Sequence, residues 1–271
     1  MLDNLDSRNN KYRRLCLSET GAKMQTICSV QDLLSHTSVR YFREARGRWI
    51  FRGLSDAQFE LIPSVGRPNP GKLTREKYEQ SLFDMFCREA RGYFNSSSLP
   101  CDPWEWLSLA QHHGLPTRLI DWTHNPLVAL YFAVNRHPER DGQLFALHSV
   151  IKQSERERTC SPFEITQAAK FYPNVITPRI RAQEGVFVVC AQLETALDQV
   201  LPDTWNVERL VIPSSIKKDL RYELFRLGIH TSSLFPGIGG LATRITWQHT
   251  VSPPKEIREL QPFAQAQTCR F

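Results

Sequence analysis

The most constraining feature of this sequence is a short segment that is apolar on nearly every side of a helix. Asn125-Pro126 is typical of a helix start, because asparagine caps the first turn and proline suits the first helical position. The residues that follow, 127–135, are apolar nearly all round. Such a helix is stable only when other elements bury it from every direction. The chain must therefore surround this helix with further secondary structure.

Helix and strand patterns alternate along the chain at irregular spacing. Apolar residues at helical spacing predict the strongest helix over residues 74–94, with Thr74 as its cap. The other predicted helices cover residues 30–43, 102–114, 163–171 and 215–227. The predicted strands cover residues 49–51, 117–121, 143–149, 185–191 and 208–212. This order favours an α+β (mixed α/β) fold, with a central mixed sheet flanked by helices, over a regular doubly wound fold.

The composition is that of one globular domain. Hydrophobic residues make up 41% of the 271 residues, which is enough for a buried core, and no Gly/Ser-rich or Pro-rich run divides the chain. We expect a polar N-terminal extension over residues 1–25, a single domain over residues 26–250 and a C-terminal tail over residues 251–271.

Hydropathy and cysteine patterns predict a cytoplasmic protein without membrane contact or bound metal. The longest apolar run is far shorter than the roughly 20 residues that a membrane span requires, and the N-terminus lacks the apolar core of a secretory signal. The seven cysteines are scattered without a CxxC pair, so we expect free thiols in a reducing compartment. His112 and His113 diverge on a helix and have no further ligand at metal spacing.

The familiar nucleotide and hydrolase motifs do not account for this sequence. The net charge of +6 favours anionic partners only mildly. Residues 66–72 have the GxxxxGK spacing of a phosphate loop. Two prolines remove backbone donors from it, however, and Leu73 replaces the hydroxyl that would bind Mg²⁺. No GxSxG, HExxH or GxGxxG motif is present, so we expect residues 66–72 to form a turn.

Polar side chains are concentrated in residues 111–123, between two predicted buried helices. The end of a helix, a tight Gly-Leu-Pro turn and a short strand would hold these groups rigidly, as a binding pocket requires. The candidate binding residues of this segment are Gln111, His112, Thr117, Arg118, Asp121, Trp122 and Thr123. The alternative is an internal polar network, in which Arg118 pairs with Asp121 to stabilise the loop.

A second candidate feature is the Phe51-Arg52-Gly53 sequence at the end of a predicted buried strand. An arginine in this position suits a bidentate phosphate contact, and the glycine after it permits close approach of a ligand. The alternative for Arg52 is a structural salt bridge.

At these residues the sequence resembles the FRG-domain family, which is named for its Phe-Arg-Gly motif. The matching stretches occur in order between residues 30 and 245. They are WIFRG at 49–53, QHHGLPTRLIDWTHNPLVALYFA at 111–133, RAQEGVF at 181–187 and LFP at 234–236. The family usually continues with an acidic pair after the last stretch, whereas this chain has Gly237, Ile238 and Gly239. This resemblance by itself implies no reaction.

A weaker resemblance is to ADP-ribosyltransferases that use NAD. Those enzymes place an aromatic-Arg-Gly motif at the end of their first strand. This motif is followed by a strand that ends in hydroxyl residues, then by an Ala-Leu-x-Phe-Ala helix, and later by a strand with a glutamate. The counterparts here are residues 51–53, 121–123, 129–133 and 183–187. The resemblance implies an ADP-ribosyltransferase-like fold and a transferase with NAD as its substrate, of the kind found in bacterial toxins and antiphage effectors.

The same resemblance implies roles for individual side chains. Arg52, with Gly53 beside it, would bind the phosphates of NAD, and Thr123 would position the nicotinamide ribose. Trp122 or Tyr131 would stack on the nicotinamide ring. Glu184 would stabilise the oxocarbenium ion that develops as nicotinamide leaves. The macromolecular acceptor and any inhibitor or antitoxin partner are not identified by the sequence.

Two adjacent residues compete for the catalytic position. On a strand, Gln183 and Glu184 face opposite sides, so one of them faces the cleft and the other faces away. If Gln183 faces the cleft, then either Asp121 supplies the catalytic carboxylate or the domain only binds a nucleotide. The rival function is a non-enzymatic binding module that recognises a nucleotide or nucleic acid through Arg52 and Arg118.

Overall fold

The computed structural model describes residues 25–41, 49–67, 71–95, 99–149, 160–174 and 177–251. The expected N-terminal extension and C-terminal tail lie almost entirely outside these residues. The centre of the turn expected at residues 66–72 also lies outside them.

A seven-stranded mixed sheet forms the centre of the described structure, in the order β1-β7-β4-β2-β3-β6-β5. The first strand runs parallel to β7, and the other neighbours are antiparallel. The strands are β1 (Gln25–Thr26), β2 (Trp49–Leu54), β3 (Leu119–Thr123), β4 (Gly142–Ser149), β5 (Ala169–Phe171), β6 (Gly185–Val189) and β7 (Trp205–Ile212). Helices flank this sheet, so the predicted α+β class is confirmed.

Eight helices are described, and the predicted caps start several of them. Asp102 accepts a hydrogen bond from the Glu105 amide, and Asn125 accepts one from the Leu127 amide, each followed by a proline at the first helical position. The helices are α1 (Val30–Tyr41), α2 (Arg75–Ala90), α3 (Pro103–His112), α4 (Pro126–Val134), α5 (Pro178–Ala182), α6 (Ser214–Arg226), α7 (Thr231–Leu234) and α8 (Ile238–Thr250).

The core consists of three apolar clusters arranged on the two faces of the sheet. On one face, α4 is buried with α1 and α6 against β2, β4 and β7, as its apolar sequence requires. The same face carries a separate cluster, in which α2 and α3 cover β3, β5 and β6. The opposite face carries a third cluster that includes Ile50, Ile120 and Trp122. The first two clusters meet where β2 lies beside β3.

One predicted element has the wrong type, and the ends of several others are shifted by a few residues. The helix predicted over residues 163–171 is wrong, because Pro162–Glu164 is a single 3-10 turn and Ala169–Phe171 is an edge strand that pairs with β6. Cross-strand pairing therefore overrides the local pattern there. The strand predicted over residues 117–121 lies two residues further on, at Leu119–Thr123.

Among the described residues, no helix has both the length and the apolar character needed to cross a membrane.

Candidate functional site

Helix α4 lies directly against β2 at Gly53. A Cβ atom built on Gly53 would stand 1.8 Å from the carbonyl oxygen of Ala129 and 2.7 Å from the backbone nitrogen of Ala133. Only glycine permits this contact, since any side chain would overlap the helix backbone. The glycine of the Phe-Arg-Gly motif therefore has a packing role, in which it allows the buried helix to seat on the strand.

Strands β2 and β3 part from one another beside this contact. Their ladder consists of the pair Phe51–Thr123, whereas β3 is paired with β6 along its whole length. Phe51 belongs to the cluster around α4, and its neighbour Ile50 belongs to the cluster on the opposite face of the sheet. Because side chains alternate along a strand, the side chain of Arg52 leaves β2 on the same face as Ile50. The separation of the two strands leaves a cleft between them.

The guanidinium of Arg52 spans the gap between the strands. Its Nη1 donates a hydrogen bond to the main-chain oxygen of Asp121, an oxygen that faces β2 where the ladder has ended. The same nitrogen lies 3.9 Å from the Asp121 carboxylate. The Nε atom is buried and has no hydrogen-bond partner among the described residues. Burial lowers the pKa of Arg52, and the nearby Asp121 carboxylate opposes this shift.

The carboxylate of Asp121 is held in place from α3. Gln111 Nε2 donates to Asp121 Oδ2 at 2.9 Å, and Gln111 Oε1 accepts from the Thr117 hydroxyl at 2.7 Å. The Asp121 side chain nevertheless remains 60% exposed. An oriented and accessible carboxylate can hydrogen-bond a ligand hydroxyl or stabilise a developing positive charge.

Gln183 connects the other wall of the cleft. Its main-chain oxygen accepts a hydrogen bond from the Thr123 hydroxyl at 2.6 Å. Its side-chain Nε2 donates to the Leu234 carbonyl at 3.0 Å, which ties α5 to α7. Segments of the chain that are far apart in sequence therefore meet at the cleft. The Thr123 hydroxyl also accepts from the Asn125 amide, so this hydroxyl has a structural role.

The prediction that Gln183 and Glu184 lie on one strand is wrong. Gln183 caps α5, and Glu184 has a positive φ of 47° before β6 begins at Gly185. Glu184 is exposed, and its carboxylate accepts a hydrogen bond from Asn125 Nδ2 at 3.0 Å. Gln183 lines the cleft and Glu184 does not.

The cleft has a volume of about 190 Å³. Its surface combines the apolar atoms of the β2–α4 contact with a few polar groups at the rim. The lining residues are Phe51, Arg52, Gly53, Asp121, Trp122, Thr123, Ala129, Phe132, Arg179 and Gln183. The predicted residues Arg52, Gly53, Asp121, Trp122, Thr123 and Gln183 are thus brought together.

Two other predicted binding residues lie away from the cleft. The proposed pairing of Arg118 with Asp121 is wrong, because the buried Arg118 guanidinium donates to Glu79 Oε2 at 2.8 and 2.9 Å and to the Pro162 carbonyl at 3.0 Å. Tyr131 is buried, and its hydroxyl lies 2.7 Å from that of Thr231 on α7. Arg118 and Tyr131 stabilise the fold.

The remaining predicted residues lie around the cleft or behind it. Thr117 is fully buried and exchanges hydrogen bonds with Ser64. His112 Nδ1 lies 3.4 Å from the Thr177 hydroxyl. Burial lowers the pKa of His112, and the nearby His113 and Arg179 lower it further, which favours the neutral imidazole. Trp122, a residue of the lining, is only 3% exposed and packs into the cluster on the far face of the sheet.

Sequence reasoning missed two residues of the lining, Phe132 and Arg179, and a third residue, Phe235, that contacts both of them. Phe132 is a half-buried aromatic residue of the lining, one position after Tyr131. Arg179 is an exposed cation of the lining, and its guanidinium carbon lies 4.8 Å from the centroid of the Phe235 ring. The LFP stretch at 234–236 was the only signal for Phe235, and no sequence pattern marked Arg179.

The described residues contain no cluster of three or more His, Cys, Asp or Glu side chains that could hold a metal ion. The described cysteines, Cys28, Cys87, Cys101, Cys160 and Cys190, are free thiols.

Comparison with known proteins identifies one family. Residues 47–142 match the family model of the FRG domain. This range contains Phe51-Arg52-Gly53 and all of residues 111–123, so the resemblance in these motifs is confirmed. The stretches at residues 181–187 and 234–236 lie beyond the matched range. No curated protein and no solved structure matches the chain.

Proposed function

We propose that this protein, which carries an FRG domain at residues 47–142, binds NAD in the cleft between β2 and β3 and breaks its nicotinamide–ribose bond. One observation carries the proposal. The Arg52 guanidinium, the Thr123 segment and the Asp121 carboxylate converge on a single cleft. ADP-ribose would pass to a macromolecular acceptor, nucleic acid or protein, or to water.

Arg52 would contact the phosphates of the ligand. Arginine is always charged and presents a planar fork that matches phosphate oxygens. One of its nitrogens is engaged by the Asp121 carbonyl, which fixes the direction of the guanidinium. A donor held in this way loses little conformational entropy when a phosphate binds.

Asp121, rather than Glu184, would supply the carboxylate of the reaction. Cleavage requires negative charge beside the ribose carbon as the bond to nicotinamide breaks and the leaving group takes the bonding electron pair. Asp121 lies at the rim of the cleft and is oriented by Gln111. Glu184 points to the surface instead, toward Asn125.

The size of the cleft limits how much of the ligand it encloses. Ligand pockets commonly measure roughly 300–1,000 Å³, and this cleft measures about 190 Å³. It would therefore hold one part of the dinucleotide, with the remainder lying across the rim beside Arg179. Phe132 is the half-buried aromatic side chain of the lining that could contact a base.

A specific observation supports a second candidate, nucleotide binding without chemistry. The residue that lines the cleft at the glutamate position of the transferase pattern is Gln183, an uncharged amide. This candidate predicts binding that weakens as the salt concentration rises, and no release of nicotinamide. Toxin or antiviral activity, and an antitoxin partner, would follow only if NAD is consumed.

The two candidates are distinguished by incubating the purified full chain with NAD and a cell lysate that provides protein and nucleic-acid acceptors. Nicotinamide release is measured for the wild type, Arg52→Gln, Asp121→Asn and the control Glu184→Gln. Because the Asp121 carboxylate would stabilise the positive charge that develops on the ribose, we expect Asp121→Asn to lower the rate by roughly 100-fold or more. We expect Glu184→Gln to match the wild type.

Three outcomes decide between the candidates. If Glu184→Gln abolishes release and Asp121→Asn does not, the assignment of the carboxylate is wrong. Release that survives Arg52→Gln in a folded protein would remove the cleft from the mechanism. If the wild type binds ADP-ribose but releases no nicotinamide with either class of acceptor, the non-enzymatic binding module is the correct function.

A further inference from the structure

Arg179 is a cation of the cleft with no role in the proposed reaction. It lies on the short helix α5, its side chain is exposed, and it lines the cleft together with Arg52. Among the described residues it forms no ion pair with a carboxylate. An arginine at the rim of a cleft that already contains a second arginine places two positive charges around one small volume.

The position of Arg179 is fixed by an aromatic contact. Its guanidinium carbon lies 4.8 Å from the centroid of the Phe235 ring. That ring in turn packs edge-on against Phe132, with centroids 6.1 Å apart. A cation over an aromatic face within about 6 Å is electrostatically attracted to it. Phe235 therefore holds the guanidinium at the rim while its donors stay open to a ligand.

The connection through Gln183 keeps this arrangement together. Gln183 follows α5 directly, and its side chain donates to Leu234, the residue before Phe235. The same residue accepts the Thr123 hydroxyl of β3. Two hydrogen bonds of Gln183 thus join the end of the helix that carries Arg179 to the segment of Phe235 and to the strand that carries Asp121.

We propose that Arg179 is a second phosphate-binding residue of this cleft, positioned by Phe235, and that the site selects ligands with two linked phosphates over monophosphates. The inference rests on the proposed function in that it uses the same cleft, but it requires no cleavage. One guanidinium fork matches one phosphate group. Because Arg52 is partly engaged by the Asp121 carbonyl, a second phosphate requires a second guanidinium.

The test compares ADP with AMP as probes, by isothermal titration of the full chain at fixed ionic strength. We expect the wild type to bind ADP about tenfold or more tightly than AMP. Arg179→Gln should abolish this preference while leaving AMP binding nearly unchanged. The matched control is Arg181→Gln, which removes the same charge from the same short helix at an exposed residue outside the lining. This control should retain the preference.

The positioning role of Phe235 has its own readout. Phe235→Leu keeps every charge but removes the aromatic face, so the preference for ADP should fall by roughly two- to fivefold. Phe235→Trp restores an aromatic face and should restore the preference. A general loss of folding would instead weaken ADP and AMP equally and would lower the melting temperature of the protein.

The outcomes separate this inference from the proposed function. The inference is overturned if the wild type shows no preference for ADP over AMP. It is also overturned if Arg179→Gln and Arg181→Gln lose this preference equally, even if NAD is cleaved. A preference that depends on Arg179 supports the inference even if no nicotinamide is released. If neither nucleotide binds to the wild type, the inference fails, whatever the nicotinamide assay reports.

Discussion

Gly53 lies so close to Ala129 that a Cβ atom on the glycine would stand 1.8 Å from the alanine carbonyl oxygen. The contact joins the end of β2 to the middle of α4, the helix whose apolar sequence requires burial on all sides. It also places Arg52, the preceding residue, at the point where β2 and β3 part. The packing of the core and the position of the candidate site therefore depend on the same residue.

Gly53→Ala should destabilise the protein by about 3 kcal/mol or more, because the new methyl group overlaps helix backbone that cannot rotate away. Urea unfolding followed by circular dichroism measures this. Gly92→Ala is the matched control, since a Cβ atom there meets no atom within 4 Å. Equal stability of the two variants would contradict the packing role of Gly53.

Gln183→Glu should cost about 1–3 kcal/mol of unfolding free energy at pH 7, since a carboxylate cannot donate to the Leu234 carbonyl and leaves it without its partner. The reciprocal change Glu184→Gln retains an acceptor for Asn125 and should be nearly neutral. Thermal unfolding of both variants provides the comparison. A neutral Gln183→Glu would mean that the link between α5 and α7 contributes little.

Glu79→Gln should destabilise the protein by about 3–5 kcal/mol, because it leaves the buried Arg118 guanidinium without its countercharge. Both side chains of this pair are nearly inaccessible, at 1% and 3% exposure. The comparison is Glu194→Gln, which breaks the surface pair with Arg75 and should cost roughly 1 kcal/mol or less. Denaturant titration would refute the prediction if the two costs were alike.

Lys217→Met should lower the unfolding free energy by about 3 kcal/mol or more, since it leaves buried and partly buried carbonyl groups without a donor. The Lys217 Nζ atom lies 2.7–3.0 Å from four carbonyl oxygens, those of Ser55, Arg136, His137 and Arg140, which share its three N–H donors. Lys218→Met, at the exposed neighbouring residue, is the control. The prediction fails if both variants melt at the temperature of the wild type.

Stability should rise with pH between about pH 8 and 10.5 because of Lys170. Burial lowers the pKa of Lys170 from 10.5 to about 8, so in this range the unfolded chain binds more protons than the folded one. Below about pH 8 the cost of burying the charge is present in full. Lys170→Met should therefore flatten the rise, and the exposed control Lys218→Met should not. Urea unfolding at several pH values measures both slopes.

Local sequence was sufficient for much of the fold around the site. The cap and proline pairs at residues 102–103 and 125–126 predicted the starts of α3 and α4, because each motif satisfies free N–H groups within a single turn. The motif at residues 51–53 and the end of the segment at residues 111–123 both contribute to the lining of one cleft. The edge strand β5 was missed, since its three residues form a strand only by pairing with β6.

The sequence by itself determined that a helix apolar on all sides must be enclosed, and that polar side chains gather next to it. Only the tertiary structure decided which partner each polar group has. Arg118 pairs with Glu79, 39 residues earlier in the chain, rather than with Asp121 nearby. The positive φ of Glu184 turns its side chain away from the cleft and leaves Gln183 there. Capping and burial depend on neighbours in sequence, whereas ion pairs and the lining of a cleft depend on which distant segments the packing brings together.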